Sequence, residues 1–278
     1  STFLEVIERE SVTHVQVVPT MLVRILKLDE AERLRHDVSS LRCVIHAAAP
    51  CPPDVKRKMI DWLGPIVLEY YSSTEGPGIT FITSEEWLEH PGSVGRPVTG
   101  VAHICDEAGD ELDVGQAGVV FFEQPVAPFE YHNDADKTRA SRHPEHENWS
   151  TTGDIGYLDA EGYLYLTDRK AFMVISGGVN IYPAEIESVL VMHPCVADVA
   201  VFGLPDPEMG EYVHAVVQLA SDATASAELV DELRAFARSS LAGYKVPRAI
   251  DFRDELPRLP TGKLQKGVLR DEYLSALA

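Results

Sequence analysis

The sequence predicts an α/β chain in two parts, a parallel α/β sheet with a small β-region attached and then a smaller α+β domain. Three observations predict it. Strand-like and helix-like runs alternate over residues 15–70, the pattern of a parallel sheet with crossover helices. Short apolar runs at 79–83, 101–106 and 118–122, separated by Gly, Asp and Pro turns, then read as the β-region. Beyond about residue 170, helix and strand patterns supply enough apolar positions for a second core. A length of 278 residues suits two domains, placed here at 1–169 and 170–278.

Taken in order, residues 3–10 read as the end of a helix and 15–18 as a short buried strand. Pro19-Thr20 opens a helix with Met21, Leu22, Ile25 and Leu26 on one face. A strand at 41–45 runs into His46-Ala-Ala-Ala-Pro50. Pro52-Pro53 opens the next helix, which turns Val55, Met59, Ile60 and Leu63 inward and stops at Gly64. A third strand covers 66–70. In the second part a helix at 183–192 precedes strands at 196–202 and 212–219. A helix at about 227–241 carries Leu229, Leu233, Phe236, Ala237 and Leu241 as its apolar stripe, with Gly243 as its stop. A strand at 249–252, a basic loop at 257–263 and a short C-terminal helix complete the chain.

Composition narrows the classes of partner. The net charge is −20, from 44 acidic and 24 basic residues, which argues against nucleic acid or an anionic membrane as the main partner. The four cysteines form no CxxC pair and no zinc pattern, as expected for reduced thiols in a cytoplasmic protein. No apolar run approaches the ~18 residues of a spanning helix, so no membrane span is expected. The polar stretch 125–148 holds His132, His143 and His146, but their spacing lacks the helical context of a metal site. A homodimer is left open as an assembly.

Two stretches carry chemistry. The third strand ends in Tyr71-Ser-Ser-Thr-Glu75-Gly76, and ligands in parallel sheets sit beyond the carboxyl ends of strands. There Thr74 offers a hydroxyl to a phosphate, Glu75 a hard oxygen ligand for Mg²⁺, and Tyr71 a flat face for a base. Taken alone, Ser-Thr-Glu is more commonly a helix cap. The second stretch begins at Ser150-Thr-Thr-Gly-Asp154. It continues through a strand, the pair Asp168-Arg169, a second strand and the double glycine Gly177-Gly178. It ends in a helix with Pro183 in its first turn. An acid and an arginine flanking one strand suit a polyol such as ribose, the carboxylate accepting and the arginine donating. A β-hairpin with a surface salt bridge is the plainer meaning of that pair.

Three separated motifs, YYSSTEG, STTGDIGYLD…GYLYLTDR…ISGGVNIYPAEIE and LPRLPTGKLQKGVLR, resemble those of the adenylate-forming superfamily in order and rough spacing. The wording ISGGVNIYPAEIE looks most like an acyl-CoA synthetase, and HAAAPCPPDVKRKMI, HPGSVGRP and FEYHND agree. The resemblance implies the C-terminal part of the large adenylate-forming domain followed by its small mobile domain. It implies activation of a carboxylic acid by ATP to acyl-AMP, with Mg²⁺, then transfer to coenzyme A, the small domain rotating between steps. It places Tyr71 against adenine beside the backbone of Ala49 and Pro50, Thr74 on the α-phosphate and Glu75 on Mg²⁺. Asp154 falls on the ribose hydroxyls with Arg169 assisting, and Lys263 becomes the catalytic lysine of the first step. Gly177 and Gly178 fall where the pantetheine arm passes, and Ala171 at the hinge.

The departures from the family pattern are specific. Ala171 and Phe172 stand where relatives carry polar hinge residues, Ser72 where many have Gly, and His46 where a smaller residue near the acyl pocket is commoner. No Ser/Thr/Gly-rich phosphate loop of the TSGTTGxPKG type occurs in residues 1–278. The expectation is therefore a C-terminal half that is inactive alone. The small residues Ala47 to Ala49 suit a fatty or polycyclic acid. Two other classes stand beside this one: an adenylating enzyme that loads a carrier protein, and a non-catalytic nucleotide-binding remnant.

Overall fold

A computed structural model of the protein describes residues 2–259 and 264–277, with Arg169 and Lys170 described by their backbone alone. The chain divides into two compact units, Ser1–Lys170 and Ala171–Ala278.

The first unit opens with helix α1 (Thr2–Glu10), strand β1 (His14–Val17), helices α2 (Pro19–Leu26) and α3 (Glu30–Leu34), and strand β2 (Cys43–His46). Helix α4 (Pro53–Leu63) and strand β3 (Val67–Tyr71) follow, then β4 (Ile79–Ile82), helix α5 (Ser84–Glu89) and β5 (Arg96–Thr99). Strands β1, β2 and β3 are parallel, as the alternation predicts. Strands β4 and β5 extend the same sheet antiparallel, giving the order β1-β2-β3-β4-β5. The run at 79–83 therefore belongs to the first sheet and not to the β-region. Its partner β5 escapes a pattern search because Arg96-Pro-Val-Thr99 has little apolar alternation. Helix α5 is set by a capping box. The Thr83 side chain accepts from the Glu86 backbone N–H, and the Glu86 carboxylate accepts from the Thr83 backbone N–H.

The second sheet is antiparallel. It holds β6 (Val101–Cys105), β7 (Gly118–Glu123), β8 (Trp149–Ser150), β9 (Asp154–Leu158) and β10 (Leu164–Arg169), in the order β10-β9-β7-β6 with β8 on β7. Helix α6 (Ala135–Ala140) lies between β7 and β8 in sequence. Val120, Phe122, Ile104 and Leu164 form the core of this sheet, and Tyr71 at the end of β3 packs against it. Gly78 permits that approach, because a Cβ there would stand 2.1 Å from the Phe122 ring.

The second unit carries a hairpin, β11 (Val174–Ser176) and β12 (Val179–Ile181), then helix α7 (Pro183–Leu190). Strands β13 (Val196–Asp206) and β14 (Gly210–Leu219), helix α8 (Ala227–Ser240), strand β15 (Ala249–Arg253) and helix α9 (Lys266–Leu277) follow. Strand β14 pairs antiparallel with β11 and β13 and parallel with β15. Ala200, Phe202, Leu204, Val216, Leu256 and Leu269 form its core. No helix among the described residues is long and apolar enough to cross a membrane.

A buried charged cluster lies in the first unit. Lys56 on α4 holds Glu69 on β3 at 2.5 Å, both buried. Burial pulls the Lys56 ammonium down and pushes the Glu69 carboxyl up, and each holds the other charged. The His46 ring lies 3.5 Å from the same carboxylate, fully buried, with neither nitrogen hydrogen-bonded among the described residues. Burial and the Lys56 charge push its pKa down to about 3, so it stays neutral. His46 is thus an interior residue at the end of β2.

Candidate active site

The carboxyl ends of β2 and β3 are adjacent, because His46 pairs with Glu69. The loop carrying Ala49 and Pro50 and the loop carrying Thr74 and Glu75 therefore leave the sheet side by side. Ala49, Pro50 and Thr74 are exposed, and Glu75 is half-buried. Ser72 donates its hydroxyl to the Gly78 carbonyl at 2.8 Å and closes the 72–78 loop on itself. Gln124 closes it from outside by donating to the Pro77 carbonyl at 3.0 Å. Within the loop the Ser73 hydroxyl is buried and has no hydrogen-bond partner among the described residues. A buried hydroxyl without a partner costs free energy, which a ligand oxygen would recover.

Asp154 opens β9 and is buried. It accepts from the Tyr71 hydroxyl at 2.6 Å and from the Thr152 hydroxyl at 3.0 Å. Both donors fall on Oδ2, which fixes the plane of the carboxylate. The Tyr71–Asp154 bond joins residues 83 apart in sequence and links the first sheet to the second. Arg169 lies directly across the ladder from Asp154, at the last pair of the β9–β10 register. The acid and the arginine of the sequence motif thus share one end of one hairpin, although the Arg169 side chain lies outside what is described.

Glu75 accepts from the Tyr131 hydroxyl at 3.0 Å. Sequence reasoning missed Tyr131. The signal available was the FEYHND stretch in which it stands, which entered only through the family resemblance, and nothing in its spacing points to a residue 56 positions earlier. The donor set fits Mg²⁺ bound through substrate phosphates: one half-buried carboxylate, Glu75, beside an exposed hydroxyl, Thr74. No group of three or more His, Cys, Asp and Glu residues among those described forms an all-protein metal cage. All four cysteines are free, and burial pushes the Cys51 thiol up, away from the thiolate.

In the second unit Gly177 and Gly178 form the two-residue turn of the β11–β12 hairpin, with φ of 58° and 79°. A Cβ on Gly177 would also stand 2.5 Å from the Met209 methyl. Ala171 begins this unit in a 3-10 turn, Lys170–Phe172. It is latched from α9, where Arg270 donates to the Ala171 carbonyl at 3.3 Å and Lys266 lies 5.3 Å from the centre of the Phe172 ring. The Ala171 carbonyl and the Phe172 ring thus both take contacts from cationic side chains of α9, although neither side chain carries a polar group. Lys263 lies outside the described residues. Its described flanks are joined, Arg258 bridging to Leu264 and the Gln265 N–H donating to the Pro257 carbonyl at 2.8 Å.

Comparison with known proteins identifies the family. The family model described as AMP-binding enzyme matches residues 1–128, and that described as AMP-binding enzyme C-terminal domain matches 185–263. A long-chain-fatty-acid–CoA ligase of Bacillus subtilis is 35% identical over 271 residues, 97% of this chain and 47% of that protein. An anthranilate CoA ligase solved with anthranoyl-AMP superposes with a TM-score of 0.83 at 29% identity, covering 100% of this chain and 53% of that one. An amide bond synthetase of Marinactinospora thermotolerans gives 0.80 at 34% identity, covering 98% and 55%. The chain spans about half the length of the curated relatives it matches. On the two family matches and these relatives, the chain belongs to the adenylate-forming, AMP-binding enzyme family and is acyl-CoA synthetase-like.

Proposed function

We propose that this chain is the C-terminal part of an acid–thiol ligase that forms an acyl-AMP from a carboxylic acid and ATP and passes the acyl group to coenzyme A. The observation that carries the reading is the meeting of Tyr71 and Asp154 across two sheets, beside the loop that holds Thr74 and Glu75. In this reading Asp154 accepts from the ribose hydroxyls, and Tyr71 presents its ring to adenine beside Ala49 and Pro50. Thr74 donates to the α-phosphate, and Arg169 assists on the sugar. Glu75 would hold Mg²⁺, which when bound neutralises phosphate charge. Lys263 brings a point-charge ammonium to the oxygens on which charge builds as the acid attacks phosphorus. In the second step the second unit, pivoting near Ala171, presents the Gly177-Gly178 turn, where backbone without side chains lets a pantetheine arm pass.

Full-length protein incubated with ATP, Mg²⁺, a panel of fatty and polycyclic acids and coenzyme A should yield a thioester detectable by mass spectrometry. The likeness to an amide bond synthetase supports a second reading, in which an amine takes the acyl group. Amide formation with an added amine, and no thioester with coenzyme A, would favour that reading. Acyl-AMP alone would point to delivery to a carrier protein. No acyl-AMP with any acid would leave the nucleotide-binding remnant.

A further inference from the structure

The residues between β7 and β8 reach both Glu75 and the strand that leads to Asp154. We propose that Tyr131 is a positioning residue for Glu75, and that segment 129–142 fixes Glu75 relative to Asp154. The inference rests on the reading of Glu75 as the Mg²⁺ ligand.

Tyr131 donates to one Glu75 carboxylate oxygen at 3.0 Å, which restricts rotation of that carboxylate. Tyr131 is itself held from several directions. Its backbone N–H donates to the Thr138 hydroxyl at 2.9 Å, Lys137 lies 3.9 Å from its ring centre, and Phe129 meets it edge-on at 5.4 Å. Helix α6 supplies Lys137 and Thr138, and it is fixed by Asp134, whose side chain accepts from the Lys137 N–H at 2.9 Å. Asn133, at φ 54°, makes the turn between Tyr131 and the helix.

The other end of the segment grips the strand leading to Asp154. Arg142 donates to the Ser150 hydroxyl at 3.1 Å and to the Phe129 carbonyl, and the Thr151 N–H donates to the Ser141 carbonyl at 3.0 Å. Ser150 begins the run that ends at Asp154. One segment therefore ties the proposed phosphate–metal limb to the proposed sugar limb. A tyrosine that only filled space would need neither the hydroxyl contact nor the anchors at both ends.

The test uses full-length Tyr131→Phe, which keeps the ring and removes the hydroxyl. Mn²⁺ affinity in the presence of a non-hydrolysable ATP analogue, read by electron paramagnetic resonance, should fall about tenfold. The affinity for AMP without metal should be unchanged. Thr138→Val, which loosens the Tyr131 backbone anchor, should move Mn²⁺ affinity in the same direction by less. Glu75→Gln serves as the reference. A loss of Mn²⁺ affinity in Glu75→Gln with none in Tyr131→Phe overturns the inference and leaves the reading of Glu75 standing. An equal loss of metal-free AMP binding in Tyr131→Phe overturns it as well. Unchanged Mn²⁺ affinity in Glu75→Gln overturns the reading itself, and the inference with it.

Discussion

Replacing Lys263 by alanine in the full-length protein should lower acid-dependent pyrophosphate exchange by roughly 10²–10³-fold or more, the scale of removing one preorganised electrostatic group. Thioester formation from supplied acyl-AMP should stay largely intact. The asymmetry follows from where charge develops. Attack of the acid builds negative charge on the α-phosphate and acyl oxygens, and an ammonium there stabilises it. Thiol attack on the finished anhydride is proposed to use the other face of the second unit. Measuring the two half-reactions separately checks this, and equal loss of both would remove Lys263 from the role assigned.

The second large effect is on stability. Lys56→Met in this chain should cost about 3–5 kcal/mol, because it leaves the buried Glu69 carboxylate without its partner 2.5 Å away. His46, 3.5 Å away, is kept neutral first by burial, which the substitution leaves in place. The double substitution Lys56→Met with Glu69→Leu should recover most of the loss, since a well-packed apolar pair replaces a buried ion pair at little cost. All three tryptophans, Trp62, Trp87 and Trp149, lie in the first unit, so urea unfolding followed by tryptophan fluorescence reports on that unit alone. A single substitution that leaves the midpoint unchanged would show that the pair contributes no net stability.

The physical origin of each feature decides how much of it the sequence discloses. The parallel order of β1, β2 and β3 is legible because crossover helices need long apolar faces, and those leave a periodicity in the chain. Strand β5 is invisible by the same criterion, since Arg96-Pro-Val-Thr99 joins an edge with little buried surface. Thr83-x-x-Glu86 is a readable capping box, although helix α5 is too short to show a face. At the site, Asp154 and Arg169 are legible as a pair because they flank one hairpin and pair across it. The Tyr71–Asp154 bond depends on how two sheets meet, which no local pattern encodes. The Tyr131–Glu75 contact and the Lys56–Glu69 pair are hidden for the same reason: each partner looks like an ordinary polar residue until the fold brings the two together.

The ribose contact offers the most direct test of the nucleotide site. Calorimetric titration of the full-length protein should show AMP binding about 100-fold more tightly than 2′,3′-dideoxy-AMP, the worth of two hydrogen bonds to a charged group. Asp154→Ala should erase most of that discrimination, with a smaller loss of dideoxy-AMP affinity through the freed Tyr71 hydroxyl. Equal affinity of the unmodified protein for the two nucleotides, or full discrimination retained in Asp154→Ala, would contradict the assignment of Asp154 to the sugar.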